Sequence, residues 1–389
     1  MNASDRKELL GVVREFVQHE VRPVVSEYEH SDEYPEPLLR RMAELGFFGL
    51  LIPEEYGGLG VDFSTFAEIQ IELSQGWMSL SGVLTSLFTS AWMITTFGTD
   101  EQRITLLPRL ASGELRIAFS MTEPDAGSDV QAIRTRATRS SDQFTIDGTK
   151  TWTTHGLHSG AVMLIAVTDP TASPRYRGMS AFVIEKPPGI SSVPGLEIPP
   201  SLRKLGYKGI EATELVFNSY RVPVSSVLGG EAGVGSGFKY FMAGMEVGRL
   251  SVAASATGIA TDAFRRAIAY AQQREAFGLP IAKHQAIQIK LAAMATRVEA
   301  ARLLVLNAAS VKDTGERADL ETGMAKLFAT EAAMDTAFDA MRVHGGYGYS
   351  MEFGVERLLR EAPSLILGEG SNEIQHLVIA RRLLERYPQ

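Results

Sequence analysis

Apolar positions along the first hundred residues recur at the period of a helix. Leu9, Val12, Val13, Phe16, Val17 and Val21 fall on one face, and Asp5 with Glu8 has the spacing of a capping box at its start. A second helix is predicted through Pro37–Met42, stopping at Gly46, and the run Pro53–Gly60 is rich in turn formers. Thr99 and Gln102 repeat the capping-box spacing and open another helix. Between Gly76 and Gly98 there is no charge, a length that would cross a bilayer. Eight of those residues are Ser or Thr, however, which favours a helix buried inside protein over one facing lipid tails. Residues 1–116 therefore form an expected N-terminal helical domain.

The period changes near residue 117. Phe144-Thr145-Ile146 runs into Asp147-Gly148, a strong hairpin dipeptide, and Thr149–Thr154 is expected as the return strand. Ala161–Thr168, Met179–Glu185 and Thr213–Tyr220 are rich in β-branched or aromatic residues, with turns between them. Short strands and tight turns imply an antiparallel barrel or sandwich over 117–232. From 233 to 389 the pattern is helical again. Ala253–Gln272, His284–Thr314 and Ala318–His344 are long, alanine-rich and closely connected, the signature of a four-helix bundle. The fold class is a multidomain α+β chain in the order α, β, α bundle.

Composition removes several classes of function. A net charge of −8 over 389 residues does not suit a nucleic-acid surface, which needs clustered positive charge. With no cysteine there is no disulfide, thiolate metal site or thiol nucleophile. The N-terminus lacks a hydrophobic signal segment and carries acids, so a cytoplasmic protein without a membrane span is expected. No complete GxGxxG, P-loop or HExxH occurs. His155 and His158 are close together, but have no carboxylate partner nearby in sequence, which argues against a metal site.

Five segments carry candidate chemistry. Ala118–Asp129 is a strand ending in a loop of small residues, where backbone N–H groups can approach a ligand and Thr122 and Ser128 add hydroxyls; an ordinary turn fits the local pattern too. Trp152, in the run Gly148–Gly156, is either sheet packing or a flat wall for a conjugated ring. Arg274, in Gln273–Pro280, suits a pyrophosphate or a helix C-terminus. His344–Tyr349 holds three glycines in four positions, more than a helix cap needs. Glu369 stands between two glycines behind Leu365-Ile366-Leu367. It is a surface loop acid, or a carboxylate presented to a flat ligand with its pKa raised by desolvation.

In this order, the T-E-P-x-A-G-S-D core at 122–129, R-x-x-F-G at 274–278 and E-G-S-N-E-I-Q at 369–375 resemble the acyl-CoA dehydrogenase family along almost the whole chain. The resemblance implies noncovalent FAD in a homotetramer. It places Phe119, Met121, Thr122, Gly127, Ser128, Trp152 and Thr154 around the flavin, and Ser371 and Glu373 also on FAD. Arg274, Phe277, Gln285, Arg342 and Gly346 would serve the FAD of a neighbouring subunit. Ser128, Glu246, Arg249 and Gly370 would meet an acyl-CoA substrate. Glu369 would take the α-proton while the β-hydride passes to flavin N5, giving a trans-2-enoyl-CoA in fatty-acid β-oxidation. Electrons would go on to an electron-transfer flavoprotein.

Some relatives carry the base immediately before the arginine matching Arg249; here that position is Gly248, so the role falls to Glu369. Gly368 replaces a bulky residue and is expected to widen the acyl pocket for branched or ring-bearing groups. Arg342 and His155 stand where many members have Gln and Asn. Competing readings are an oxygen-reactive acyl-CoA oxidase, a dehydrogenase for carrier-protein-bound acyl groups, and a helical scaffold without flavin. The occupied flavin and base positions count against the scaffold, the lack of the extra C-terminal domain of many oxidases counts against the oxidase, and bleaching of the flavin by free CoA thioesters would separate the carrier-protein reading.

Overall fold

The computed structural model describes residues 3–388. The N-terminal part comprises α1 (Ala3–Phe16), α2 (Val25–Ser31), α3 (Glu36–Glu44), α4 (Phe63–Gly76), α5 (Met78–Phe97) and α6 (Asp100–Ala111). Because α1 already runs from Ala3, Asp5 lies inside its first turn rather than at the expected cap. Val13, Phe16, Val17 and Val21 are buried as the stripe requires, whereas Val12 is exposed. The capping box at Thr99 and Gln102 is formed in both directions. Among the described residues, α5 is the one helix long and apolar enough to cross a membrane, and 67% of its apolar window is buried inside the protein. It packs on α7, α4 and β1, as an all-round apolar helix must.

The middle strands are β1 (Ile117–Ser120), β2 (Arg136–Ser140), β3 (Gln143–Thr154), β4 (Ala161–Val167), β5 (Met179–Glu185), β6 (Ser192–Val193), β7 (Leu196–Glu197) and β8 (Ala212–Pro223). One sheet runs β1-β4-β2-β3-β8-β7-β6, with β5 paired to β4. It is mainly antiparallel, but β1 and part of β2 run parallel to β4. The expected hairpin at Asp147-Gly148 is not there. Residues 143–154 form one strand, and the turn falls at Ser141-Asp142, where Ser141 takes the left-handed conformation (φ 54°). Asp147-Gly148 instead marks a bulge against β8. A Cβ on Gly148 would lie 2.6 Å from the Thr135 Cα, so glycine serves a close approach, and the Asp147 carboxylate accepts from Ser219 N at 2.7 Å.

The C-terminal part comprises α7 (Gly237–Gln273), a two-residue hairpin of β9 (Glu275–Ala276) and β10 (Leu279–Pro280), then α8 (Gln285–Asp313), α9 (Asp319–His344), α10 (Val355–Leu367) and α11 (Asn372–Arg386). Alanines dominate the α7–α9 seam, and small side chains let the helix backbones approach closely. Helix α7 also packs on α4 and α5, so the N-terminal helices and the bundle share one wall.

Candidate active site

A cavity of about 1290 Å³ opens where α5, β1, β3, α7 and the loop after α10 meet. Phe119, Met121, Thr122, Gly127, Ser128, Trp152 and Thr154 all line it, and so do Arg249, Glu369, Gly370 and Ser371 from the bundle. Segments far apart in sequence thus converge on one space.

A second irregularity in β3, between Lys150 and Thr153, explains how Trp152 reaches the cavity. Trp152 has φ 56° and remains 58% exposed while its neighbours Thr151 and Thr153 are buried, so the bulge turns the indole out of the sheet. The same strand is stitched to the loop after β1. Thr151 N donates to Thr122 O at 2.9 Å, and the Ser120 and Thr153 hydroxyls are 2.8 Å apart. Lys150 Nζ, fully buried, donates to Met121 O at 2.9 Å and Glu123 Oε1 at 2.8 Å. Glu123 also accepts from Arg134 N at 2.6 Å and Thr135 N at 2.9 Å. The pair stays ionised. Burial works to raise the Glu123 pKa, but Lys150 and the donated hydrogen bonds outweigh it and hold it below the ordinary range. Burial pulls Lys150 down to about 8 against the pull of Glu123, still above neutrality.

Glu369 follows α10 in a left-handed conformation (φ 54°), with Gly370 left-handed after it. Lys326 on α9 holds this turn, donating to Ile366 O at 2.8 Å, Gly370 O at 3.0 Å and Asn372 Oδ1 at 2.8 Å. Gln375 Nε2 adds bonds to Glu369 O at 3.3 Å and Gly370 O at 2.9 Å. The carboxyl points against Gly248, where an added Cβ would lie 2.6 Å from Glu369 Oε2. That oxygen is shielded from solvent and has no hydrogen-bond partner. Burial raises the carboxyl's pKa above its ordinary 4.5, and the charges of Arg249 and Lys326 oppose the rise without cancelling it. Burial lowers Lys326 to about 8. Arg249, 7% exposed, makes no hydrogen bond or ion pair among the described residues. Tyr207 lines the same cavity. Burial pushes its pKa up, a hydrogen bond with Thr154 pulls it down, and the Glu369 charge raises it again.

Other expected site residues lie elsewhere. Glu246 does not line the cavity; it bonds Lys312 Nζ at 2.8 Å. Glu373 is exposed in the first turn of α11. Arg274 and Gly346 border a separate cavity of about 540 Å³ at the far end of the bundle. Phe277 is 96% exposed, and Gln285 and Arg342 are also exposed. Within one chain none of these five reaches the first cavity. His158 does have a carboxylate partner, supplied from a distance by Glu211, which accepts from His158 N at 2.9 Å and lies 3.2 Å from His158 Nδ1. Burial takes His155 down to about 4, so it is neutral, bonded to the Tyr34 hydroxyl and off the cavity. Sequence reasoning missed Lys150, Glu123 and Lys326 as supports. The signal for Lys326 was present: a lysine inside an apolar, alanine-rich helix.

Sequence models of the acyl-CoA dehydrogenase N-terminal, middle and C-terminal domains match residues 3–114, 118–220 and 235–384. The chain belongs to the acyl-CoA dehydrogenase family. It is 41% identical to an acyl-CoA dehydrogenase of Bacillus subtilis (strain 168), over 96% of both chains. Among solved structures it resembles butyryl-CoA dehydrogenase from Megasphaera elsdenii, with TM-score 0.93, 34% identity and 99% of each chain covered. A chain from the structure described as "Electron transferring flavoprotein of Acidaminococcus fermentans: Towards a mechanism of flavin-based electron bifurcation" matches with TM-score 0.93 and 35% identity, covering 99% of each chain. Acyl-CoA dehydrogenases are FAD-dependent flavoproteins, and this chain is an oxidoreductase acting on a CH–CH group. Its residues fit that cofactor: an aromatic face turned out of the sheet at Trp152, flanked by the hydroxyls of Thr122, Ser128 and Thr154, borders a space large enough for a ring system and a thioester.

Proposed function

We propose that the chain dehydrogenates an acyl-CoA thioester between its α and β carbons, with Glu369 as the base. The observation that carries this reading is the half-buried Glu369, its Oε2 shielded and unpartnered and its pKa raised, on the cavity that Trp152 also lines. A carboxylate without competing hydrogen bonds keeps its lone pairs for a carbon acid, and a raised pKa brings it nearer the proton it must accept. The Glu369 backbone N–H donates to no acceptor among the described residues, leaving it free for the thioester oxygen as negative charge develops there. Bound FAD supplies the two-electron acceptor for the β-hydride. Lys326 and Gln375 fix the carboxyl's turn, and α5 and α7 hold it away from water. The direct test is anaerobic titration with acyl-CoAs, which should bleach the flavin absorbance.

Gly368 is the proposed determinant of acyl width. It lines the cavity, and a Cβ there would meet only Ser364 O, at 3.3 Å. Gly368→Phe should fold and retain butyryl-CoA turnover while kcat/KM for branched or ring-bearing thioesters falls about tenfold or more. Unchanged ratios would remove Gly368 from this role.

The homotetramer is proposed on the exposed chemistry of the bundle. Phe277, Ile289, Leu303 and Phe338 leave apolar surface in water on the bundle, which also carries the small cavity bordered by Arg274 and Gly346. A neighbour's FAD would be held there, and Arg274→Ala should weaken FAD affinity by about 10- to 100-fold, read by flavin fluorescence on dilution. The electron-transfer flavoprotein is the proposed acceptor, supported by family membership and the Acidaminococcus likeness.

A further inference from the structure

The wall of the cavity between α5 and α7 carries several hydroxyls. Ser81, Thr85 and Ser86 of α5 and Ser255 of α7 line it, among Met78, Met245 and Val252. Thr89, one turn from Thr85 on α5, lies beside Gly248 and hence beside the Glu369 carboxyl. The wall therefore starts about 6 Å along α5 from the base, four residues at the helical rise.

Each of these side chains has one hydrogen to give, and the network determines where it goes. Ser251 Oγ accepts from Gln70 Nε2 and lies 2.6 Å from Thr85 Oγ1, which in turn reaches Ser81 O at 3.1 Å. Every hydrogen finds an acceptor only if Ser251 donates to Thr85 and Thr85 to Ser81 O. Ser81 Oγ accepts from Ser74 Oγ at 2.8 Å and donates to Met78 O at 2.8 Å, which leaves it one lone pair for the hydrogen of Ser255 Oγ, 3.0 Å away. The hydrogens of Thr85, Ser81 and Ser255 are thus committed within the protein; Ser81 is fully buried with both lone pairs taken, so the acceptors left to the cavity are the oxygens of Thr85 and Ser255. Behind them Gln70 Oε1 is buried without a partner. Ser86, only 9% exposed, has no hydrogen-bond partner among the described residues.

We infer that the natural substrate carries a hydroxyl on its acyl chain, on the carbon next beyond the β position, which donates to this wall. The inference rests on the proposed reading of Glu369 as the base. An alkyl end would leave these oxygens and the Ser86 hydroxyl unpaired, and a carboxylate end would accept from Ser86 alone while setting its lone pairs against those of Thr85 and Ser255. No carboxylate stands in that wall to balance an ammonium, so a neutral donor is the group that fits.

The test compares 4-hydroxybutyryl-CoA with pentanoyl-CoA, its methyl isostere, and with 4-methoxybutyryl-CoA, which can only accept. Binding is measured by calorimetry on the flavin-loaded Glu369→Gln protein, and kcat/KM by flavin reduction in the wild type. The hydroxylated thioester should bind roughly tenfold or more tighter than either comparator. In Ser255→Ala and Ser86→Ala that ratio should move toward unity, as the hydroxylated thioester loses a partner and pentanoyl-CoA no longer leaves a hydroxyl unpaired. Equal or weaker binding of the hydroxylated compound overturns the inference, as does a ratio untouched by both variants. Because binding is read apart from turnover, near-normal flavin reduction by Glu369→Gln would sink the assignment of the base while the affinity ratio still decides the substrate class.

Discussion

Glu369→Gln should bind FAD and acyl-CoA and yet reduce its flavin about 10²- to 10⁴-fold more slowly than the parent chain. The amide keeps the shape of the carboxyl and its place against Gly248, so the loss is confined to proton abstraction. Stopped-flow absorbance under anaerobic conditions reads the rate, and calorimetry reads the retained affinity. The parent's pH profile supplies a second check. Glu369 must be deprotonated to act, and burial raises its pKa above 4.5. Activity should therefore rise with pH through an acid limb lying above the ordinary carboxylate value, and the residual activity of Glu369→Gln should lack that limb. A variant reducing at the parental rate would move the base elsewhere.

Lys150→Met carries the largest expected loss of stability. Lys150 and Glu123 form a buried pair, with the lysine fully enclosed and the glutamate 7% exposed. Removing the cation leaves a carboxylate buried among N–H donors alone, which costs about 3–5 kcal/mol. The damage should centre on the flavin side, because Lys150 also holds Met121 O and its strand carries Trp152. Loss of bound flavin on gel filtration, with a fall in thermal midpoint, is the expected pair of results. A double variant, Lys150→Met with Glu123→Leu, should recover part of the stability because neither charge remains. If the single variant melts with the parent, the pair is not the brace described above.

Much of the architecture was legible from periodicity. The α, β, α order, the buried nature of α5 and the capping box at Thr99 all follow from local pattern, because amphipathic faces and caps are set by neighbours in sequence. The hairpin at Asp147-Gly148 was misread for a physical reason. The same dipeptide serves a turn or a bulge, and only the approach of Thr135 decides between them. Within the site, Glu369, Trp152 and the Thr122–Ser128 loop were legible as motifs. The supports were not, since Lys326 meets Gly370 across 44 residues and Glu211 reaches His158 across 53. Sequence spacing carries no trace of such pairings.

The left-handed turn at residue 369 shapes how this position can evolve. Glutamate has no backbone preference for that region, and holding it there costs on the order of 1 kcal/mol or more. Glycine or asparagine would sit there with less strain, so selection for robustness alone would drift toward a tranquil, inert loop. A screen of all replacements at 369 should therefore rank thermal midpoint and turnover in opposite orders, with glycine and asparagine among the hardiest proteins and isoleucine and valine the frailest.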